Sequence, residues 1–142
     1  MPIGKRVVII GGGKQGCELA EFLVKRGRKV TIVDTADVLG YGMFYHLKCA
    51  LFSWFRKKDM SMIAGVTCME VTDKGLTITD KEGGKQSIEA DSIIPALPLK
   101  PDTALYQSLY GKIPEVYAIG DCREPQLIVD AIADGSRIGR AI

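Results

Sequence analysis

Two short stretches of the chain carry residues whose types and spacing suit chemistry. The first is GGGKQG, Gly11 to Gly16, which fits G-x-G-x-x-G with Gly11, Gly13 and Gly16 at the fixed positions. An acid, Asp34, follows at close to the ~20-residue distance at which such a loop is paired with a carboxylate. In this pattern the first glycine permits a tight turn, the second lets backbone approach a pyrophosphate, and the third lets a helix pack closely on a sheet. A helix that opens there turns unpaired N–H groups and its positive dipole end toward phosphate. Gly12, Lys14 and Gln15 complete the loop, and Lys14 either reaches a phosphate or extends into solvent. Asp34 is suited to accept hydrogen bonds from adenine ribose hydroxyls and to repel a 2′-phosphate. Thr35 and Ala36 follow it where an arginine would favour that phosphate. The expectation is a dinucleotide site that prefers NADH to NADPH. The alternative is a glycine turn needed only for packing.

The second stretch is VYAIGDC, Val116 to Cys122, an apolar run ending in Gly120-Asp121 far from the glycine loop. No catalytic residue or metal ligand set is expected. His46, the only histidine, has no acid or nucleophile placed beside it by any motif. The four cysteines, Cys17, Cys49, Cys68 and Cys122, contain no C-x-x-C pair. They are expected to be reduced and mostly buried in a cytoplasmic protein.

The elements that must hold these residues follow from hydrophobic period. Lys5–Ile10 (KRVVII) and Lys29–Asp34 (KVTIVD) read as strands buried on both faces of a parallel sheet. Between them Cys17, Ala20, Leu23 and Val24 recur at helical spacing, with Gly27 as a left-handed C-terminal cap. A second helix is expected over Met43–Lys58, with Leu47, Leu51, Trp54 and Phe55 on its apolar stripe. Its aromatics, Phe44, Tyr45, Phe52, Trp54 and Phe55, suit core packing, or an interface with another domain. VTCMEVTD, GLTITD and KQSIEAD then alternate apolar with polar and are separated by turn residues, which predicts a three-stranded antiparallel meander within residues 66–91. SIIPAL (Ser92–Leu97) reads as a strand, Ala104–Leu109 as a short helix, Val116–Gly120 as a last strand, and Gln126–Ile142 as a helix with Ile128, Ile132 and Ile138 inward.

Composition limits the alternatives. The chain has 142 residues, 46% hydrophobic and 25% charged, with a net charge of +2 and no basic block. This is an ordinary globular composition, without the electrostatic footprint of a nucleic-acid binder. The first apolar run is cut short by three glycines, so neither a signal peptide nor a membrane span is expected.

GKRVVIIGGGKQGCELAEFLVKRGRKVTIVD, the meander, and PEVYAIGDCREPQLIVDAIADGSRIGRAI together resemble the C-terminal part of the FAD- and NAD-dependent pyridine nucleotide-disulphide oxidoreductases. Within that superfamily the likeness is to the NADH:flavin oxidoreductases, typified by 2,4-dienoyl-CoA reductase, enoate reductase and trimethylamine dehydrogenase. The resemblance implies a Rossmann-like, three-layer α/β domain with a parallel sheet and a three-stranded antiparallel meander. Residues 1–112 would be the NAD-binding domain, and residues 113–142 a strand and helix completing part of an FAD site. By resemblance, Glu18 lies toward the nicotinamide, and Ala96 and Leu97 border the nucleotide. Gly120 and Asp121 match the flavin Gly-Asp pair, and Val129, Asp130 and Ala131 begin the helix that points N–H groups at the flavin.

The family often has hydrophobic residues where Lys14 and Gln15 stand, and a glycine where Ala96-Leu97-Pro98 stands. Pro98 has no N–H to offer a nucleotide. The resemblance further implies upstream flavin-binding and barrel segments, or a subunit carrying them, as partners beside NADH. It makes FAD a cofactor of the intact enzyme that this chain alone does not retain, and makes the isolated chain inactive. Two other readings stay open: a non-catalytic pocket that holds ADP or NAD for structural reasons, and a regulatory ligand-sensing Rossmann module.

Overall fold

Val7, Val8 and Ile9 are all buried, and this is possible because both faces of their strand are covered. That strand, β1 (Arg6–Ile10), pairs in parallel with β2 (Lys29–Val33) and with β7 (Ser92–Pro95). A further strand, β3 (Met60–Ile63), adds in parallel to β2, giving the order β3-β2-β1-β7. On one face Val7, Ile9, Val30 and Ile32 pack with Cys17, Ala20 and Leu23 of α1 (Lys14–Lys25) and Phe55 of α2 (Tyr45–Phe55). On the other, Val8 and Val33 pack with Val66, Leu76 and Ile78. Leu76 and Ile78 belong to the middle strand of an antiparallel meander: β4 (Cys68–Thr72), β5 (Gly75–Thr79) and β6 (Lys85–Glu89). Helices, parallel sheet and meander form the three layers of the expected α/β architecture. The computed structural model describes residues 3–142, with the backbone alone at Cys68.

α1 ends as its glycine predicts. Gly27 has φ +72°, its N–H bonds to the Val24 carbonyl at 3.0 Å, and the Arg28 N–H reaches back to Leu23 at 3.1 Å. This pairing satisfies carbonyls that the helix end would leave bare.

The chain divides into two compact units, the first running to Leu97 and the second Pro98–Ile142. The second contains α3 (Ala104–Leu109), a 3-10 turn at Gly120–Cys122 and α4 (Ile128–Ile138).

Several expectations are corrected. Val116–Gly120 forms no strand, because the described residues of its unit contain no other strand to share a hydrogen-bond ladder. Ile128 and Ile132 are 82% and 66% exposed, and Asp134 is the buried residue of α4. A helical apolar stripe is buried only where another element lies against it. On α2, Phe55 is fully buried and Leu51, Phe52 and Trp54 pack against the core, but Tyr45 and Leu47, and Phe44 just before the helix, are exposed. Cys17 is buried, whereas Cys49 and Cys122 are exposed. The side chain of Cys68 lies outside the described residues. β3 was not foreseen: Met-Ser-Met-Ile is short, and as an edge strand it needs neither a continuous apolar run nor flanking turn residues.

Candidate functional site

Gly11 follows β1, Asp34 follows β2, and Ala96 follows β7, so three carboxyl ends of a parallel sheet deliver their next residues to one edge. The chain runs from β1 outward to β2 and β3, then returns to place β7 on the other side of β1. This reversal opens the crevice in which open α/β sheets bind ligands. Gly11 has φ +115°, and a Cβ there would lie 2.3 Å from the Ala96 carbonyl oxygen and 3.4 Å from the Leu97 nitrogen. A Cβ on Gly16 would lie 1.8 Å from the Gly11 carbonyl oxygen. Glycine at both positions lets α1 start against the ends of β1 and β7. The N–H groups of Gln15 and Gly16, in the first turn of α1, have no hydrogen-bond partner among the described residues. They are donors for an anion.

Asp34 is 7% exposed, and its carboxylate is held from several directions. Oδ2 accepts from the Gly12 N–H and from the Tyr41 hydroxyl at 3.0 Å, and Oδ1 accepts from the Ala36 N–H at 2.8 Å. Burial pushes this carboxyl up. The hydrogen bonds from Ala36, Gly12, Tyr41 and Thr35 outweigh that, holding it below the usual aspartate value and hence ionised at neutral pH. The Tyr41 hydroxyl is pushed up by burial and by its bond to Asp34. Cys17 lies beneath the loop, its thiol 3.5 Å from the Gly12 carbonyl oxygen and pushed up to about 11 by burial, so it stays protonated.

The structure thus brings Gly11, Gly12, Gly13, Lys14, Gln15, Gly16, Asp34, Thr35, Ala96 and Leu97 to one edge of the sheet. Glu18, one turn further along α1, lines a groove of about 410 Å³ with Glu21 and Lys25 of α1 and with Leu47, Leu51 and Trp54 of α2. Tyr41 was missed. Its only sequence signal is its place between Gly40 and Gly42, in a loop that no period describes.

In the second unit Gly120 has φ +60°, and Asp121 lines a cavity of about 380 Å³ with Leu127, Ile128, Ala131 and Ile132. The turn is held by Asp134, which accepts from the Gly120 N–H at 3.2 Å, from Arg123 Nε at 3.0 Å and from Arg137 Nη2 at 2.7 Å. Hydrogen bonding from Arg137, with Gly120 and Arg123 adding to it, keeps the Asp134 carboxyl below the usual value despite its burial. Asp134 was also missed, since it follows a stripe read as apolar. Asp130 spends its carboxylate on the Leu127 N–H at 3.0 Å, and the Asp130 and Ala131 N–H groups both bond to the Leu127 carbonyl. Among the described residues there is no cluster of three or more metal-ligating side chains and no helix long and apolar enough to cross a membrane.

A glycine turn, a helix N-terminus and a buried acid at the reversal point of a parallel sheet define a nucleotide-binding α/β protein. Comparison with known proteins narrows the class: residues 1–113 match the model of the pyridine nucleotide-disulphide oxidoreductases, and the chain belongs to that family. It is 31% identical over 135 residues to the NADH oxidase of Thermoanaerobacter brockii, covering 94% of this chain and 21% of that one. It is 30% identical over 143 residues to the cinnamate reductase of Clostridium sporogenes, covering 99% and 21% respectively. A solved structure of 2-naphthoyl-CoA reductase in complex with 2-naphthoyl-CoA superposes with a TM-score of 0.89 at 30% identity, over 100% of this chain and 22% of that one. The chain spans about a fifth of the length of these relatives.

Proposed function

We propose that the chain is the NAD(H)-binding, electron-input module of an FAD-dependent oxidoreductase of the NADH:flavin type, with NADH preferred to NADPH. The observation that carries this reading is the convergence of Gly11–Gly16, Asp34 and Ala96 at the reversal point of the sheet. The Gln15 and Gly16 N–H groups suit the pyrophosphate, with Lys14 beside them. The ionised Asp34 suits a ribose diol and opposes a 2′-phosphate. Glu18, Thr35, Ala96 and Leu97 are assigned to the borders of the nucleotide. Residues 1–112 carry this site.

Residues 113–142 supply part of a flavin site, through Gly120, Asp121, Val129, Asp130 and Ala131. The fit is partial. This segment offers a carboxylate and an apolar helix face at a cavity, but no glycine-rich phosphate turn. The exposed Leu127, Ile128, Val129 and Ile132 suit burial against a further flavin-binding segment or subunit. Hydride chemistry is what nicotinamide and flavin supply when bound, while the residues of this chain hold and orient them. One relative is named an NADH oxidase and another a cinnamate reductase, which supports an NADH-linked reductase; a cytoplasmic location is part of the proposal.

Calorimetric titration with NADH, NADPH and ADP tests the reading. NADH is expected to bind more tightly than either of the others. Equal affinity for NADH and ADP would assign the pocket to holding adenosine alone, and equal affinity for NADH and NADPH would remove Asp34 from the ribose end.

A further inference from the structure

The loop between β2 and α2 turns back over the glycine turn, and a single residue of it touches three parts of the proposed dinucleotide site. The Tyr41 ring lies on Gly13, where a Cβ would meet Tyr41 Cε2 at 2.7 Å and Cζ at 3.0 Å. Its hydroxyl donates to Asp34 Oδ2 at 3.0 Å. Its carbonyl accepts from the Lys14 N–H, at the first position of α1, also at 3.0 Å. Each of these groups has a task in binding a dinucleotide. Gly13 carries no side chain that would bar a pyrophosphate, Asp34 is suited to a ribose, and the N–H groups opening α1 are suited to phosphate.

We infer that Tyr41 is an intramolecular competitor for the NAD(H) site: in the nucleotide-free protein it fills the adenosine-pyrophosphate end, and the dinucleotide binds by displacing it. This rests on the reading of Gly11–Gly16 and Asp34 given above and adds the residue that sets the affinity of that site. The loop is built for the exchange. Gly40 and Gly42, at φ +71° and +77°, flank the tyrosine, and both lie in the left-handed region where glycine is unstrained. Tyr41 as a whole is 43% exposed, so solvent already reaches it. A hydroxyl bonded to an ionised carboxylate belongs to the stronger class of hydrogen bonds, so the open form is a minor fraction of the free protein. The apparent dissociation constant is the intrinsic one divided by that fraction.

NADH is titrated into the chain and into its Tyr41→Ala and Tyr41→Phe variants, with the melting temperature of each recorded. Tyr41→Ala is expected to bind NADH about tenfold more tightly, and Tyr41→Phe, which keeps the ring but loses the carboxylate bond, a few-fold more tightly. A folded Tyr41→Ala that binds NADH no better than the original chain overturns the inference while leaving the dinucleotide reading standing. If neither the chain nor the variants bind NADH, the dinucleotide reading fails and the inference with it.

A second measurement needs no variant. Tyrosine acetylation by N-acetylimidazole is read by peptide mass spectrometry with and without saturating NADH, using the exposed Tyr45 as internal reference. NADH is expected to accelerate modification of Tyr41. Protection, or an unchanged rate, means that the nucleotide does not displace the ring and overturns the inference.

Discussion

Replacing Gly16 with alanine puts the close packing of α1 to the test. The added Cβ would stand 1.8 Å from the Gly11 carbonyl oxygen and 2.9 Å from its carbon, whereas ordinary contact begins near 3.4 Å. The obstacle is backbone at the end of β1, and that carbonyl cannot swing away as a side chain would. The first turn of α1 must therefore retreat by roughly one and a half ångströms, lifting Cys17 and Ala20 off Val7 and Ile9. Overpacking of this kind costs about 1–3 kcal/mol, with the upper end apt for a backbone obstacle, and the better helix propensity of alanine returns up to about 1 kcal/mol. The net loss is about 2 kcal/mol, a drop in melting temperature of roughly 6–8 °C for a chain of this size. Thermal unfolding followed by circular dichroism reads it, and NADH titration of the same variant should show weaker binding, because the Gln15 and Gly16 N–H groups move with the helix. A variant that melts at the original temperature and binds NADH unchanged would refute the account of why glycine stands there.

Asp34→Ala is expected to weaken NADH binding and to narrow its advantage over NADPH, by at most about 1–3 kcal/mol, as read by calorimetry. An unchanged preference would show that the carboxylate does not discriminate. Because the Asp34 carboxyl lies below its ordinary value in the folded chain, its hydrogen bonds contribute stability that is complete above about pH 4 and fades as pH falls through the lower folded value. Melting temperatures measured from pH 6 down to pH 3 should therefore fall less steeply for Asp34→Asn than for the original chain, and parallel curves would contradict this. The 142-residue chain, mixed with FAD and desalted, is expected to retain no stoichiometric flavin and to oxidise no NADH. A charged hydrogen bond such as Asp121 could make is worth roughly 1.5–3 kcal/mol, far short of the ~8 kcal/mol of micromolar affinity. Flavin absorbance after desalting, or turnover, would show that residues 113–142 hold more of the site than one half.

The first β-α-β unit is legible in the sequence because its signals are local and agree. Val7 to Ile10 can be continuously apolar only between two covered faces, the glycines must turn the chain, and Gly27 must end the helix. The meander is legible for the same reason, since alternation and turn residues coincide. What depends on a neighbour is not legible. Val116–Ile119 has the composition of a strand, but a strand needs a ladder partner. Ile128 and Ile132 have the spacing of a buried face, but burial requires something to lie on it. Met60–Ile63 pairs at a sheet edge because β2 presents one, a fact held thirty residues away. Of the site, the glycines and Asp34 could be named from spacing. Tyr41 and Asp134 could not, because each acts through a contact that folding creates: a loop tyrosine laid on a glycine turn, and an acid on α4 held by two arginines and a backbone amide.

The most direct measurement is an amide chemical-shift map of the isotope-labelled chain titrated with NADH. The large shifts are expected to cluster at Gly11–Gly16, at Asp34–Ala36 with Tyr41, and at Ala96–Leu97, and ADP is expected to reproduce only part of them. Shifts centred elsewhere, or none at saturating NADH, would contradict the assignment of this edge of the sheet to the dinucleotide.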